Sequence, residues 1–216
     1  MSVSPLFRYP GKSADVVWDG RLCIHTGECT RAKGDLFVGG RKPWCEPDLA
    51  AVAEVVEVCE RCPSGALVYE LKDGSSVERP APRNTIQASY HGPLFARGDL
   101  AIEGAPADMP GVHFRAALCR CGRSQRKPFC DNSHEAAEFN DSGAVGELGE
   151  GLTVEGGKLE IKPLKDGPLK VIGNLTLVAG SGLERWRGTQ TWLCRCGGSK
   201  NKPFCDGTHK KIGFKG

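Results

Sequence analysis

The sequence predicts an α+β protein in which a small N-terminal domain precedes two β-rich repeats that pair as an internal pseudo-dimer. The first observation behind this prediction is a cysteine and histidine pattern that occurs twice, 75 residues apart and without an insertion or deletion. The second is that short apolar runs of strand character precede each copy and a short helical tail follows each. With 216 residues, of which 39% are hydrophobic and 25% charged, the chain has the composition of a globular protein.

Residues 1–77 have no counterpart in the repeat and are predicted to form the first domain. Within it, the segment from Pro47 to Val58 predicts an amphipathic helix, because proline suits a first helical turn and apolar residues recur at helical spacing. Those apolar residues are Leu49, Val52, Val55 and Val56. The helix should stop before Pro63. Residues 78–83 hold two prolines in a short polar stretch, which predicts a linker.

The two repeat units are predicted to span residues 84–142 and 159–216. Each should contain strands, a cysteine loop that starts where a strand ends, and a short helix at that loop. A unit of this size buries a modest share of its surface when it folds, so a metal and a partner copy are expected to stabilise it. The duplication supplies the partner within one chain, which predicts an approximate two-fold axis and a monomer.

Each copy of the repeated pattern offers three thiolates and one imidazole, a set that indicates a metal site rather than a packing unit. The residues are Cys119, Cys121, Cys130 and His134 in the first copy and Cys194, Cys196, Cys205 and His209 in the second. Both sulfurs of Cys-x-Cys at an extended strand end can point the same way and bind one iron. The later Cys and His are four residues apart, so they share one face of a helical turn and can bind a second iron. Three Cys and one His are also a common zinc set, although structural zinc sites usually begin with Cys-x2–4-Cys.

Four further residue types recur beside these ligands and are expected to contact the cofactor or to shape its loop. Gly122 and Gly197 suit a close approach of the backbone to inorganic sulfide. Serine hydroxyls could donate hydrogen bonds to sulfide or thiolate, lysines could offset negative charge, and aspartates could cap the helical turn. These residues are Ser124, Lys127 and Asp131 in the first copy and Ser199, Lys202 and Asp206 in the second.

Both loops resemble the CDGSH iron–sulfur domain of the mitoNEET-like family, whose pattern is Cys-x-Cys-x2-Ser/Thr-x3-Pro-x-Cys-Asp-Gly-Ser/Ala/Thr-His. Residues 194–209 match this pattern throughout, and residues 119–134 depart from it at Asn132 alone. Asparagine tolerates left-handed backbone angles, so the first loop should keep its shape. The resemblance implies a [2Fe–2S] cluster with three Cys ligands and one His ligand in each loop. An imidazole ligand should raise the reduction potential and link reduction and cluster release to pH between roughly 6 and 8.

The N-terminal cysteines resemble half of a bacterial ferredoxin with one ligand missing. Cys23 and Cys29 are in register with the ferredoxin run, Thr26 takes the place of its central cysteine, and Cys62 precedes a proline. The residues around them also resemble the divergent single-cluster ferredoxin-like domain that often accompanies CDGSH loops. The resemblance implies a ferredoxin-like fold and a [3Fe–4S] or [4Fe–4S] cluster held by these three cysteines.

Two residues are candidates for a fourth ligand of that cluster. His25 lies within the ligand loop, and Cys59 lies about one helical turn before Cys62. Cys45 falls outside every spacing and is expected to be a buried thiol. The four tryptophans are expected to be packing residues: Trp18, Trp44, Trp186 and Trp192.

The expected function is electron transfer by an iron–sulfur protein with two [2Fe–2S] clusters and a third, cubane cluster. Its partners would be a reductase or flavoprotein and an acceptor protein. The sequence contains no nucleophile–base set and no nucleotide motif, so we do not expect an enzyme. One alternative is a protein that transfers clusters to apo iron–sulfur acceptors or senses redox state or pH by losing its cluster. A zinc-stapled interaction module ranks below both.

Charge and hydropathy restrict the expected partners and location. The net charge is +3 and the basic residues are dispersed, so no nucleic-acid partner is expected. No apolar run approaches the ~20 residues of a membrane span and no signal peptide is apparent, which predicts a cytoplasmic protein with no membrane contact. The eleven cysteines, an odd number, favour reduced thiolates that hold metal over disulfides.

Overall fold

The computed structural model describes residues 6–74 and 78–216 and places their strands in two sheets. The smaller sheet belongs to the N-terminal domain and has three antiparallel strands in the order β1-β2-β3. These strands are β1 (Leu6–Tyr9), β2 (Ala14–Asp19) and β3 (Leu67–Leu71). One helix, α1 (Val52–Arg61), packs on this sheet. The predicted ferredoxin-like fold of this domain stays a prediction.

Helix α1 begins later than the sequence predicted. A short 3₁₀ helix, Pro47–Leu49, comes first, and the extended backbone of Ala50 (φ −138°, ψ 158°) separates it from α1. The expected start at Pro47 was therefore wrong, because the chain changes direction between the two helices. The buried face also differs: α1 buries Val55, Val58 and Cys59, whereas Leu49 and Val52 are 50% and 38% exposed. As predicted, the helix ends just before Cys62 and the proline that follows it.

The larger sheet contains seven strands from the two repeat units. In the first unit they are β4 (Thr85–Ala88), β5 (Leu94–Arg97), β6 (Asp99–Ile102) and β7 (Arg115–Leu118), and in the second β8 (Lys158–Pro163), β9 (Leu169–Val178) and β10 (Glu184–Leu193). Two one-turn helices follow the cysteine loops, α2 (Ser133–Ala136) and α3 (Thr208–Lys211). The predicted α+β, β-rich architecture with short helices at the cysteine loops is confirmed.

The two units interlock about an approximate two-fold axis. Strand β4 pairs antiparallel with β5 of its own unit and parallel with β9 of the second unit. Strand β8 pairs antiparallel with β9 of its own unit and parallel with β6 of the first unit. The parallel pairs Ile86–Leu177 and Ile161–Ile102 are related by the same 75-residue offset as the cysteine loops. Each unit therefore completes the sheet of the other, and the interior between them is lined by fully buried residues such as Leu159. This pairing is the arrangement expected of an internal pseudo-dimer.

The N-terminal domain packs on the first unit through a buried guanidinium. Arg115, 1% exposed, donates from Nη1 to the carbonyls of Cys59 and Cys62, the latter at 3.3 Å. Its Nη2 donates to the carbonyl of Leu67 at 3.2 Å and pairs with Glu78 Oε2 at 2.8 Å. These four bonds from a buried guanidinium fix the end of α1 against β7. Glu78, the first residue of the predicted linker, is thus held against the first unit, and its side chain is 8% exposed.

Within the part of the chain that the structure describes, no helix has the length and apolar character needed to cross a membrane.

Candidate metal centres

The candidate ligands of each repeated loop lie in two close pairs. Where β7 ends, Cys119 Sγ and Cys121 Sγ are 3.7 Å apart, and the equivalent Cys194 and Cys196 sulfurs are 3.8 Å apart. On the helical turn that follows, Cys130 Sγ and Cys205 Sγ each lie 3.4 Å from Nδ1 of the histidine four residues later. No three His, Cys, Asp or Glu side chains of the described residues are grouped closely enough to hold one ion. Two pairs, each able to bind one iron, fit the ligand requirement of a two-iron cluster.

The loop backbone directs hydrogen-bond donors at the sulfurs. The amides of Arg123 and Gly198 lie 3.4 Å from Cys121 Sγ and Cys196 Sγ, and the amide of Asn132 lies 3.5 Å from Cys130 Sγ. Amide donors stabilise thiolates over thiols, and thiolates are the form that binds metal. These contacts therefore suit sulfurs that hold a metal.

The first loop also perturbs its thiol pKa values. The pKa of Cys119 is lowered to about 6, chiefly because Cys121 donates a hydrogen bond to its thiolate. Burial raises the pKa of Cys130 to about 12, and burial lowers the pKa of His134. A metal that binds here must displace the proton of the Cys130 thiol, so its binding releases a proton.

The aspartates bind the start of each helical turn, although the N-cap positions belong to Asn132 and Gly207 and not to the aspartates. Asp131 Oδ1 accepts the amide of Ser133 at 3.0 Å, and its Oδ2 accepts the amide of Gln125 at 2.8 Å. Asp206 makes the equivalent bonds, and together they lower the pKa of its carboxyl. Each carboxylate therefore joins the start of the short helix to the middle of its loop. The turn needs a left-handed residue, and Asn132 (φ 72°) adopts nearly the same angle as Gly207 (φ 83°).

The serine hydroxyls do not reach the sulfurs, so their expected role was wrong. Ser124 Oγ donates to the carbonyl of Phe129 at 2.7 Å, and Ser199 Oγ donates to that of Phe204 at 2.7 Å. Since a hydroxyl has one proton, neither can also donate to sulfide or thiolate. The serines instead close the loop between the two ligand pairs.

Each of the two lysines also donates a hydrogen bond to the backbone of its own loop. Lys127 Nζ donates to the carbonyl of Ser124 at 2.6 Å, and Lys202 Nζ makes the equivalent bond to Ser199. The ammonium of Lys127 nevertheless helps to lower the pKa of Cys119, in the direction predicted for a charge that offsets a bound anion.

Gly122 and Gly197 are required for a different reason from the one predicted. Their backbones pack on the other loop: a Cβ on Gly122 would lie 2.7 Å from the Cys196 carbonyl oxygen, and one on Gly197 would lie 2.6 Å from that of Cys121. Cys121 and Cys196 also form a single antiparallel bridge. The two glycines therefore let the two loops meet on the pseudo-two-fold axis, whereas the sequence analysis assigned them to sulfide contact.

Sequence analysis missed the buried arginine between the first two cysteines of each loop. Arg120, 1% exposed, donates to the carbonyls of Gly92, at 2.7 Å, and Ser89, and pairs with Asp141. Arg195, 3% exposed, donates to the equivalent carbonyls of its unit and to that of the C-terminal Gly216 at 2.9 Å. Each arginine fastens the Gly-Pro-Leu turn and the chain after the helix to the ligand loop. The repeat could have indicated this role, because the residue between the first two cysteines is arginine in both copies of the pattern.

The N-terminal cysteines surround a cavity of about 480 Å³. Its lining includes Cys23, Cys29 and Cys62, and Cys23 Sγ lies 4.0 Å from Nδ1 of His25, which also lines the cavity. Three thiols and an imidazole around one such space suit an iron–sulfur cluster. Cys59 is fully buried and is not among the lining residues, so the geometry favours His25 over Cys59 as the fourth ligand. Cys45 is 1% exposed, in line with its expected role as a buried thiol.

The N-terminal cavity and the first repeated loop are neighbours. Ile24, between Cys23 and His25, packs in one buried cluster with Ala117 and Cys130. A residue of the N-terminal ligand loop therefore shares a buried cluster with a candidate ligand of the first repeated loop. Together with the Cys121–Cys196 bridge, this packing arranges the three candidate centres in series.

Comparison with known proteins agrees with these three centres. A family described as "Divergent 4Fe-4S mono-cluster" matches residues 9–72, and a family described as "Iron-binding zinc finger CDGSH type" matches residues 91–135 and 166–210. The uncharacterized protein YjdI of Escherichia coli strain K12 is 48% identical over 64 residues, which cover 84% of YjdI and 30% of this chain. YjdI of Escherichia coli O157:H7 gives the same identity and coverage. No solved structure matches the chain.

The N-terminal domain and the two repeats are thus iron–sulfur types of domain, and the candidate ligands described above lie within the matched residues. The chain belongs to the divergent 4Fe–4S mono-cluster family through its N-terminal domain and to the CDGSH iron-binding family through its two repeats.

Proposed function

We propose that this protein is an electron carrier, not an enzyme, with one [2Fe–2S] cluster in each CDGSH loop and a [3Fe–4S] or [4Fe–4S] cluster in the N-terminal cavity. The proposed ligands of the two-iron clusters are the three Cys and one His of each loop. Cys23, Cys29, Cys62 and His25 would hold the N-terminal cluster. Bound iron–sulfur clusters supply one-electron redox chemistry, and the chain's own residues position them.

The observation that carries this proposal is the packing of neighbouring ligand loops. Ile24 lies in one buried cluster with Ala117 and Cys130, and the backbones of Cys121 and Cys196 bridge the two CDGSH loops. Electron tunnelling weakens steeply with distance, so centres whose ligand loops touch can exchange electrons within the chain. A set of independent structural metal sites would not need this series of contacts.

The two ends of the series differ in exposure and charge. Cys119, Cys121 and Cys130 are buried, whereas Cys196 and Cys205 of the second loop are half-buried. The second helix also has Lys210 and Lys211 where the first has an acidic residue and an alanine. Positive charge favours a reduced cluster, so we propose that electrons move towards the second CDGSH loop and leave there to a protein acceptor.

The half-buried ligands of the second loop also favour a second candidate function, cluster transfer to apo iron–sulfur proteins. Replacing His209 with cysteine separates the two. For an electron carrier we expect H209C to keep its cluster and to lower the potential of one cluster by roughly 100 mV or more, because a thiolate adds negative charge. For a transfer protein the main effect should be slower delivery of the cluster. Redox titration followed by electron paramagnetic resonance, with a parallel transfer assay to apo-ferredoxin, measures both.

The matched control is H113C, which changes an exposed histidine of the 3₁₀ helix Pro110–His113. It should move neither the potential nor the transfer rate. Metal analysis of anaerobically purified protein tests the proposal as a whole: iron and acid-labile sulfide in near-equal amounts support it. A colourless, stoichiometrically zinc-loaded protein would exclude it and favour the interaction module.

A further inference from the structure

The pseudo-two-fold axis gives each unit an equivalent face. In the first unit the N-terminal domain packs on this face, and in the second unit the face is open. In the first unit, Ile24 of the N-terminal domain packs in one buried cluster with Ala117 and Cys130, which are 3% and 2% exposed. The residues 75 positions later in the second unit are Trp192 and Cys205. Trp192 is 41% exposed and Cys205 is half-buried, so this face is more open to solvent than its counterpart in the first unit. The expectation that all four tryptophans are packing residues was therefore wrong for Trp192.

This open face is a concave site. A cavity of about 670 Å³ lies beside Trp192 and Cys205, and its floor includes Trp186 and Phe204. Two carboxylates, Glu147 and Glu150, stand at its edge, and among the described residues its lining includes no lysine or arginine. An aromatic centre with acidic groups at the rim is the composition of a protein docking site for a basic partner.

The N-terminal domain of a second copy does not fit this face. In the first unit that domain is held by Arg115, which donates to carbonyls at the end of α1, and by Arg126, which donates to the carbonyl of Arg21 at 2.9 Å. The equivalent positions in the second unit are Gln190 and Asn201. Asn201 donates instead to Glu147 Oε1 at 2.9 Å. The contacts that recognise the chain's own domain are thus absent from the second unit, and the occupant must be a different protein.

We propose that the face formed by Trp192, Cys205, Glu147 and Glu150 is the docking site of a separate, basic redox protein. The N-terminal domain occupies the related face of the first unit and brings its own cysteine centre next to Cys130. By the same geometry, a partner on the open face would bring its redox group next to Cys205. One electron would pass from the reduced chain to the oxidised partner, with no proton or bond exchanged. This inference rests on the proposed electron-carrier function and names the acceptor's chemistry.

The test uses the cluster-loaded full chain and cytochrome c, a basic haem protein, as the probe. Stopped-flow mixing of the reduced chain with ferric cytochrome c gives a second-order rate constant at low and high salt. We expect the rate to fall with salt, to fall about tenfold in W192A because a central tryptophan is lost, and to fall severalfold in E147Q/E150Q. The matched control is F7A, which removes an aromatic side chain that is also 41% exposed but lies in the N-terminal domain. It should leave the rate unchanged.

A second measurement reports docking without electron transfer. Carbodiimide joins carboxylates to lysines that lie in direct contact, so mass spectrometry should find cross-links from Glu147 or Glu150 to cytochrome c, and W192A should reduce them. Equal rates in all variants and no such cross-link would overturn the docking site and leave the electron-carrier function standing. Cross-links without haem reduction in any variant would support the docking site and contradict the electron-carrier function. A wild-type dimer in sedimentation analysis that W192A dissociates would overturn the proposal, since a second copy would then cover the face.

Discussion

Replacing Arg120 with methionine is expected to lower the free energy of unfolding by about 3 kcal/mol and to abolish cluster binding by the first CDGSH loop. The guanidinium is 1% exposed and neutralises Asp141, whose side chain is 17% exposed. Methionine fills the same space but removes the donor of the Ser89 and Gly92 carbonyls and leaves Asp141 with the amide of Gly143 and with Lys202 at 3.8 Å. Each such loss costs about 1–3 kcal/mol, more for a charged group. Arg120 lies between Cys119 and Cys121 in the chain, so a shift of its backbone would move the two sulfurs apart.

Denaturant unfolding followed by circular dichroism, with iron analysis of the purified variant, measures both effects. R123M is the matched control: it removes an exposed arginine three residues away and should change stability by less than about 0.5 kcal/mol. R195M should have a smaller effect than R120M, because Arg195 binds main-chain oxygens and, among the described residues, has no ion pair with an Asp or Glu side chain. Equal stability and iron content in R120M and R123M would contradict the structural role assigned to Arg120.

The metal loops show which parts of a site a sequence can predict. The ligand pairs depend on spacings of two and four residues, which strand and helix geometry convert directly into distance. The left-handed turn at Asn132 depends on neighbours in the chain and agrees with the prediction, and so does the bond of Asp131 to the start of the turn, although Asn132 and not Asp131 is the N-cap residue. Local geometry therefore decided the parts that were predicted correctly.

The residues whose roles were missed or wrongly assigned have partners far away in the chain. Arg120 binds carbonyls about 30 positions earlier, and Gly122 meets the other loop. The repeat predicted a pseudo-dimer, but the parallel pairing of β4 with β9 depends on how the two units interlock in one sheet, which no local pattern reports. The same holds for the packing of Ile24 with Ala117 and Cys130, since an isoleucine between two candidate ligands gives no sign of the surface on which it will pack.

The meeting point of the two loops gives the second large prediction. Replacing Gly197 with alanine should lower the free energy of unfolding by about 2–4 kcal/mol and reduce the iron content of both CDGSH loops. Two costs add: alanine is strained at φ 79°, and its Cβ would lie 2.6 Å from the carbonyl oxygen of Cys121. That oxygen belongs to a backbone bridged to Cys196, so relief of the clash must move a ligand of each loop. G122A should behave in the same way, because a Cβ there meets the Cys196 carbonyl.

A matched control isolates the second of these costs. G207A places alanine at φ 83° with nothing within 4 Å of the added Cβ, so it has the strain without the clash and should cost about 1 kcal/mol. G207N should cost less still, because the equivalent Asn132 already adopts φ 72°. Denaturant unfolding and iron analysis of the four variants give the comparison. If G197A and G207A were equally stable and equally loaded with iron, backbone strain alone would explain both, and contact between the loops would not be what requires glycine. If G197A loses iron from both loops while G207A keeps it, the two centres are mechanically coupled through the bridge that also makes them neighbours.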